Sequence, residues 1–457
     1  MTNIGNNRLL FIENRQKTVF WEKLAERLLN DGFEIYWIVQ NHNFTPNIGE
    51  IYKIPYPPFR NKTENNVNNK LFDYISSTDR LVNYFGCNYS HYDYYYRHIS
   101  DIIVNISPNF VIGESTLFHE IISLKIAESH NITYLSPCSI AYPPDKFSFF
   151  LGDANNTIGV SGNTLGSKDC NKLISDIAKK SIIPSYIKKS VRSKSSHDVV
   201  INSLGYKLEA LKYYLLGEKY NTPSPIKKIS KDIHTKKILK KWDKLSNERG
   251  NFADNKKTIL YPLQLQPEAN LDVHGNLFRN QVLIIKEISS ALPENWHLLV
   301  KTNPKSKYEM NSQLLDLVKE SDNITPLKST TKMSDIFSNV DIVITVTGTI
   351  AQECFFSDKP VGVFGPSIVD NFLKDSKLYR YEDIKSLILK VEEKNYQFST
   401  KNEKIELIKL LANTSYTGLI SDPISDPDCM SQENIEMVSK HFLNLFQMLY
   451  SGNQSKS

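Results

Sequence analysis

Short apolar runs alternate with amphipathic stretches along most of the chain. "RLLFIEN" reads as a strand, and "VFWEKLAERLLNDG" carries apolar residues at helical spacing up to Gly32. "FEIYWIVQ" then reads as a second, buried strand, which completes a βαβ opening. Further on, "DIIVNISPNFVIGES" predicts a strand ending at Gly113, "LFHEIISLKIAESHN" a helix and "ITYLSPC" another strand. This alternation fits a doubly wound parallel sheet. A second series begins near Lys257 with the strand "KTILYPLQL", after a polar linker rich in Asn and Lys. It continues through the helix "NQVLIIKEISSAL", the strand and loop "HLLVKTNP" and the helix "NSQLLDLVKES". It ends in "DIVITVTGTIAQECFFSDKPVGVFG", a strand, turn, helix and strand.

The expected fold class is therefore α/β, with two Rossmann-like domains and a helical basic insertion between them. The expected boundaries are 1–155 for the first domain, 156–256 for the insertion, 257–425 for the second domain and 426–457 for a closing helix and disordered tail. "SQENIEMVSKHFLNLFQMLY" supplies the helical spacing of that last segment, and "SGNQSKS" its disordered end.

Composition narrows the class. A chain of 457 residues, 40% hydrophobic and 11% aromatic, is long enough for two or three globular domains. No apolar run approaches the roughly 20 residues of a membrane span, and "MTNIGNNRLLFIENR" lacks a secretory core, so a cytoplasmic protein is expected. The five cysteines are far apart with no CxxC pair, which suggests neither a disulfide framework nor a zinc site. The net charge of +5 is concentrated in the middle, in "AKKSIIPSYIKKSVRSKSS" and "PSPIKKISKDIHTKKILKKWDKLSNERG". Such a face is a solvated helical surface or a contact with an anionic bilayer, which would make the protein peripheral on the inner membrane. Nucleic acid is not expected, because aromatic residues are not interleaved with these charges.

Candidate chemistry lies where strands run into helices, since open parallel sheets bind ligands at the carboxyl ends of their strands. In "TVTGTIAQE", Thr347 and Thr349 offer hydroxyls, Gly348 allows close backbone approach, and Glu353 could accept ribose hydroxyls. The same residues also suit a plain capped turn. "LLVKTNP" adds Lys301, Thr302, Asn303 and Pro304 to that edge, and "YPLQLQPEANLDVHG" adds Gln264, Gln266, Glu268 and His274. In the first domain, "VIGESTLFHE" sets Glu114 at a strand end, where partial desolvation raises a carboxyl toward neutrality and suits it as a base or nucleophile. A first-turn helix Glu is the alternative reading, and His119 is expected to pack on its helix. The tyrosine-rich "NYSHYDYYYRHISD" holds His91, Asp93, Arg97 and His98, which either pack or hold a sugar or acidic acceptor.

Taken together, "YPLQLQPEANLDVHGNLFRNQ", "LLVKTNP", "SNVDIVITVTGTIAQECFFSDKPVGVFG" and the upstream "VIGES…YLSPCSIAYPPDKFSFF" resemble the bacterial capsule polysaccharide biosynthesis proteins. That group includes transferases of Kdo and related ulosonic acids. The resemblance covers roughly 100–150 and 257–365. It implies a GT-B-like glycosyltransferase, with two Rossmann-like domains facing a central cleft and a nucleotide sugar, favoured as CMP-activated, held by the second. It implies that Gln264, Gln266, Glu268, Lys301, Asn303, Pro304, Thr347, Gly348, Thr349 and Glu353 surround the donor and that Glu114 is catalytic. Ser115, His119 and Lys146 fall on the acceptor side. No cofactor and no metal are expected. The acceptor is a glycan or glycolipid. Two departures stand out: Asn303 occupies a position where the family has His, and Lys146 one where it has Arg. A nucleotide-sugar epimerase, a polyol-phosphate transferase and a non-catalytic assembly or export partner are the alternative functions.

Overall fold

The computed structural model describes residues 7–58, 69–152, 156–182, 184, 197–249 and 256–454. Part of the basic middle, "SYIKKSVRSKSS" at 185–196, and the end of the tail, 455–457, lie outside the described residues.

The chain divides into two compact units. The first comprises 1–165, 183–224 and 409–457, and the second 166–182 and 225–408. In the first unit, β1 (Arg8–Ile12), β2 (Glu34–Val39), β3 (Glu50–Lys53), β4 (Phe110–Ile112) and β5 (Thr133–Ser139) run parallel in the order β3-β2-β1-β4-β5. β6 (Lys146–Leu151) adds antiparallel to β5, and β7 (Thr157–Ile158) pairs with β6. Leu9, Leu10, Phe11 and Ile12 of β1 are all fully buried, as expected for a central strand covered on both faces.

The second unit is a five-stranded parallel sheet. β8 (Lys257–Pro262), β9 (Trp296–Lys301), β10 (Ile324–Leu327), β11 (Ile342–Thr345) and β12 (Val361–Val363) stand in the order β10-β9-β8-β11-β12. Both sheets therefore turn back beside their first strand, between β1 and β4 and between β8 and β11. Each unit is Rossmann-like, which is the expected fold class of two such domains, and each has its switch point at the carboxyl ends of those strand pairs.

The observed organisation differs from the expected one in four places. β13 (Tyr416–Thr417) pairs antiparallel with β6, and the last helix, Gln432–Gln454, packs on Thr18–Asn30. Phe442, Leu445 and Phe446 share one apolar cluster with Phe20, Trp21 and Leu24, so the closing segment belongs to the first unit. Burying each such side chain is worth roughly 1.5–3 kcal/mol, which outweighs separation along the sequence. The helix runs to Gln454, so Ser451 to Gln454 are helical where a disordered tail was expected. The basic middle is not one insertion. Helix Ser167–Ala178 joins the second unit, as does the lysine-rich helix Pro225–Arg249, whose Trp242 is buried and donates to Leu327 O at 2.8 Å. Finally, "DIIVNI" ends the helix Tyr92–Ile106 instead of opening a strand, because Tyr95, Ile99, Ile103 and Ile106 recur at helical spacing and are buried.

Candidate active site

The carboxyl ends of β1 and β4 bring Glu13, Asn14 and Lys17 beside Glu114. Lys17 Nζ forms an ion pair with Glu114 Oε1, and Asn14 Nδ2 donates to Glu114 Oε2 at 3.2 Å. The two paired side chains keep 11% and 21% of their surface, so the pair is shielded but still reachable from solvent. Burial pulls the Lys17 pKa down, but the charge and hydrogen bond of Glu114, together with Cys138 and Glu120, outweigh it and the net direction is up. The ion pair and the Asn14 hydrogen bond hold the Glu114 carboxyl in one orientation at the end of β4.

Burial raises the pKa of two carboxyls in this cluster, Glu13 and Glu120. Glu120 is fully buried and pushed up to about 7, first by desolvation and then by the nearby Glu114 charge. Its oxygens collect the free donors of the β4 loop: Glu114 N at 3.2 Å, Thr116 N at 3.1 Å, Leu117 N at 2.9 Å and Asn14 Nδ2 at 2.7 Å. It therefore closes the turn that sets Glu114, as a residue at the third position of a helix does for orphan N–H groups. Tyr134 holds the same turn from below, donating to Glu114 O at 2.7 Å.

Of the expected acceptor-side residues, none reaches Glu114 through a hydrogen bond. His119 is fully buried, with Nε2 2.8 Å from Glu13 O and Nδ1 3.1 Å from Asn221 Nδ2, and burial lowers its pKa. It packs on its helix, as the sequence reading also allowed. Ser115 is buried, and Lys146 donates to Thr417 Oγ1 at 3.2 Å on the antiparallel side of the sheet. The tyrosine-rich segment packs as well. His91 is buried among Tyr92, Tyr95, Phe118 and Tyr220, and Asp93 pairs with Arg97 at 2.7 Å along one helix face.

In the second unit the loops after β8, β9 and β11 converge and are pinned to one another. Gln264 Nε2 donates to Thr347 O and Oγ1, both at 2.8 Å, and Thr347 N returns a bond of 3.1 Å to Gln264 Oε1. Gln266 N donates to Glu309 Oε2 at 3.1 Å, and Tyr308 N donates to Gln266 O at 2.9 Å. Gly348 has φ of +104°, which a side chain would strain, and a Cβ there would lie 3.3 Å from Gln264 Nε2.

This convergence reassigns several side chains. Thr347 is buried, and its hydroxyl donates to Asn270 O at 3.1 Å while accepting from Gln264, so it braces the loops instead of standing open to a phosphate. Gln266 is likewise buried, donating to Asp272 Oδ1 at 2.9 Å and Arg279 O at 3.1 Å. Glu353 is paired with Lys180 Nζ from the end of the segment 166–182, so a ribose there would share or displace that cation. The helix Ile350–Phe356 has only seven residues, too short to lend its N-terminus much field.

What remains open to a ligand is smaller and sharper. Thr349 is half-buried and its side chain makes no capping bond, and Glu268 is exposed on the loop after β8. Asn303 Oδ1 accepts from Lys305 N at 2.9 Å, so its amide nitrogen is the part left to donate, and Pro304 is exposed beside it. Lys301 keeps only 5% of its surface, and its Nζ donates to Thr302 O at 3.1 Å. Burial lowers its pKa, and no carboxylate pairs with it among the described residues. Thr302 is buried next to it, and its hydroxyl has no hydrogen-bond partner. A buried ammonium without a counter-ion and a buried hydroxyl without a partner are both unfavourable until an anion arrives.

Sequence reasoning did not single out Asn14, Lys17, Glu120 or Asp272. Glu120 carried a signal, an acid four residues after Thr116 in "STLFHE". The others depend on which strands become neighbours. Among the described residues no group of three His, Cys, Asp or Glu side chains is placed to hold a metal, and no helix is long and apolar enough to cross a membrane.

Residues 155–371 match the family described as "Capsule polysaccharide biosynthesis protein". No curated protein matches the chain. Among solved structures, the chain is similar to the beta Kdo 2,7 transferase of Thermosulfurimonas dismutans KpsC, at 9% identity and a TM-score of 0.39, over 96% of this chain and 99% of that one. The beta Kdo 2,4 transferase of the same protein gives 14% identity and a TM-score of 0.34, over 73% and 87%. UDP-GlcNAc 2-epimerase from Neisseria meningitidis, bound to UDP-GlcNAc, gives 12% and 0.30, over 96% and 99%. The matched region, which holds the converging loops of the second unit, is similar to the capsule polysaccharide biosynthesis proteins.

Proposed function

We propose that this protein is a glycosyltransferase that moves a sugar from a nucleotide donor onto a growing capsule or other surface glycan. The donor class we assign is a CMP-activated ulosonic acid such as Kdo or a sialic-acid-like sugar. The observation that supports the reading most is the pair Lys301 and Thr302, a buried cation and an unmet hydroxyl at the carboxyl end of β9. β9 pairs with β8, which borders the switch point of the second unit. An anionic phosphate ester bound there satisfies both groups, and the ammonium offsets the charge that grows on the phosphate as the nucleotide leaves. Asn303, Thr349, Glu268 and the free oxygen of Glu353 complete the donor side.

Glu114 is the reacting carboxylate. Oriented by Lys17 and Asn14, it takes the acceptor hydroxyl proton in an inverting displacement, or attacks the anomeric carbon in a retaining one. Intact-mass analysis after donor turnover separates the two, since only the second leaves a sugar on the protein.

Contact with an anionic bilayer is proposed through the second unit. On helix Pro225–Arg249, Ile226, Ile229 and Ile233 are 81%, 61% and 50% exposed at helical spacing, and Lys236, Lys237 and Lys240 continue the same outward face. Exposed isoleucines beside lysines suit the headgroup boundary of an anionic membrane. Release of nucleotide from CMP-sugar, UDP-sugar and GDP-sugar donors, with and without a glycan acceptor, tests the reaction. The reading predicts acceptor-dependent release. Epimerised donor with no transfer would contradict it.

A further inference from the structure

Lys180 reaches the second unit from outside its main run of sequence. That unit is built from 225–408, to which the segment 166–182 is added. The helix of the segment, Ser167–Ala178, packs on the helix Ile350–Phe356, which follows β11 and carries Glu353. It ends in a tight cap, in which Lys180 N donates to Ile177 O at 2.9 Å and Ser181 N to Asp176 O at 3.0 Å. The cap sets Lys180 at φ +55°, a left-handed backbone where glycine is the usual residue because a Cβ is disfavoured.

The side chain gives the reason for a lysine at this point. Its ammonium forms the ion pair with Glu353 Oε2 and stands 3.8 Å from the centre of the Phe337 ring. Phe337 is buried, and the two paired side chains are mostly shielded from solvent. An ammonium held between a carboxylate and an aromatic face has little freedom, and both attractions strengthen as water is excluded.

The main chain of Glu353 is fixed by its helix. Glu353 N donates to Thr349 O at 3.0 Å, and Ser357 N and Oγ donate to Glu353 O at 3.1 and 2.6 Å. The helix does not fix the carboxyl torsion. Lys180 does so by holding Oε2, and no described residue donates to Oε1. An oriented carboxylate oxygen with open lone pairs is an acceptor for a hydroxyl, and the paired ammonium offsets the cost of a charge in a shielded place.

We propose that Lys180 is a positioning residue of the donor site, holding Glu353 so that Oε1 accepts a hydroxyl of the nucleotide's ribose. This rests on the donor reading given above. Ribose recognition then belongs jointly to the helix after β11 and to the segment 166–182, and the sugar shares the carboxylate with the ammonium instead of displacing it.

The test is calorimetric titration of the full-length protein with CMP, UMP and GMP, each against its 2′,3′-dideoxy form. The parent is expected to prefer the ribonucleotide by roughly tenfold or more, the difference made by a hydrogen bond to a charged group. Lys180→Gly suits the left-handed backbone, so it keeps the cap and removes the ammonium. Lys180→Met keeps most of the side chain without its charge. Both variants are expected to lose most of the preference, as is Glu353→Gln, while affinity for the dideoxynucleotide stays at the parent's level. Circular dichroism checks folding. A lysine that only fastened the segment would lower the melting temperature and leave the preference unchanged, and that result in either folded Lys180 variant overturns the proposal. So does a parent that binds nucleotide without regard to the ribose hydroxyls. A parent that binds none of the three nucleotides overturns the donor reading itself, and this assignment falls with it.

Discussion

Lys17 and Glu114, 97 residues apart in sequence, form an ion pair where β1 and β4 end side by side. The pair joins the first polar loop of the chain to the carboxylate proposed to act on the substrate.

Removing the lysine leaves a shielded negative charge without compensation. Lys17→Met is expected to destabilise the first unit by roughly 2–4 kcal/mol, and Lys17→Arg by much less. Urea unfolding of both variants checks this. Equal stability of Lys17→Met and the parent would show that the pair contributes nothing.

Glu120 gives a pH signature. Its folded pKa is raised from 4.5 to about 7, so the folded state holds the proton more tightly than the unfolded one. Stability from this group is fully present below pH 4.5 and lost as pH rises through about 7. The cost at the upper end is of order 3 kcal/mol. Comparing Glu120→Gln with the parent from pH 4.5 to 8, the parent should lose stability relative to the variant as pH rises. A constant difference across that window would contradict the assignment.

Thr302 separates stability from binding. Thr302→Val removes a buried hydroxyl that has no partner, and is expected to stabilise the free protein by about 1 kcal/mol while weakening nucleotide binding. Thermal melts with and without CMP read both effects. A variant that melts lower and binds CMP as well as the parent would mean that the hydroxyl serves the fold.

The strands and most helices were legible in the sequence because each is a local pattern. β8, β9 and β11 stand where apolar runs predicted them, and the polar loops after them do converge. The division of labour within the loops was not legible. Thr347 and Gln264 have the chemistry of phosphate ligands, yet they bond each other, and only three-dimensional pairing reveals that. Lys17 was hidden for the same reason, since nothing near it in sequence hints at Glu114. Lys180 looked like part of a solvated basic stretch, but the segment around it belongs to the second unit and its ammonium meets Glu353. "DIIVNI" misled because a run of apolar residues fits a buried strand as well as the end of an amphipathic helix.

The lysine-rich helix offers a test of location. Each lysine near an anionic surface contributes about 1 kcal/mol to attraction. Reversing Lys236, Lys237, Lys240 and Lys241 to Glu, or changing Ile226, Ile229 and Ile233 to Ser, should abolish co-sedimentation with phosphatidylglycerol vesicles. Binding that persists in both variants would contradict the docking role.

The central claim is that Glu114 reacts while the second unit binds the donor on its own. The most direct measurement is Glu114→Gln assayed for sugar transfer and for CMP affinity in the same preparation. The account predicts transfer reduced by roughly a thousandfold or more, with CMP affinity and melting cooperativity retained. Transfer at the parent rate in a folded Glu114→Gln protein would contradict it.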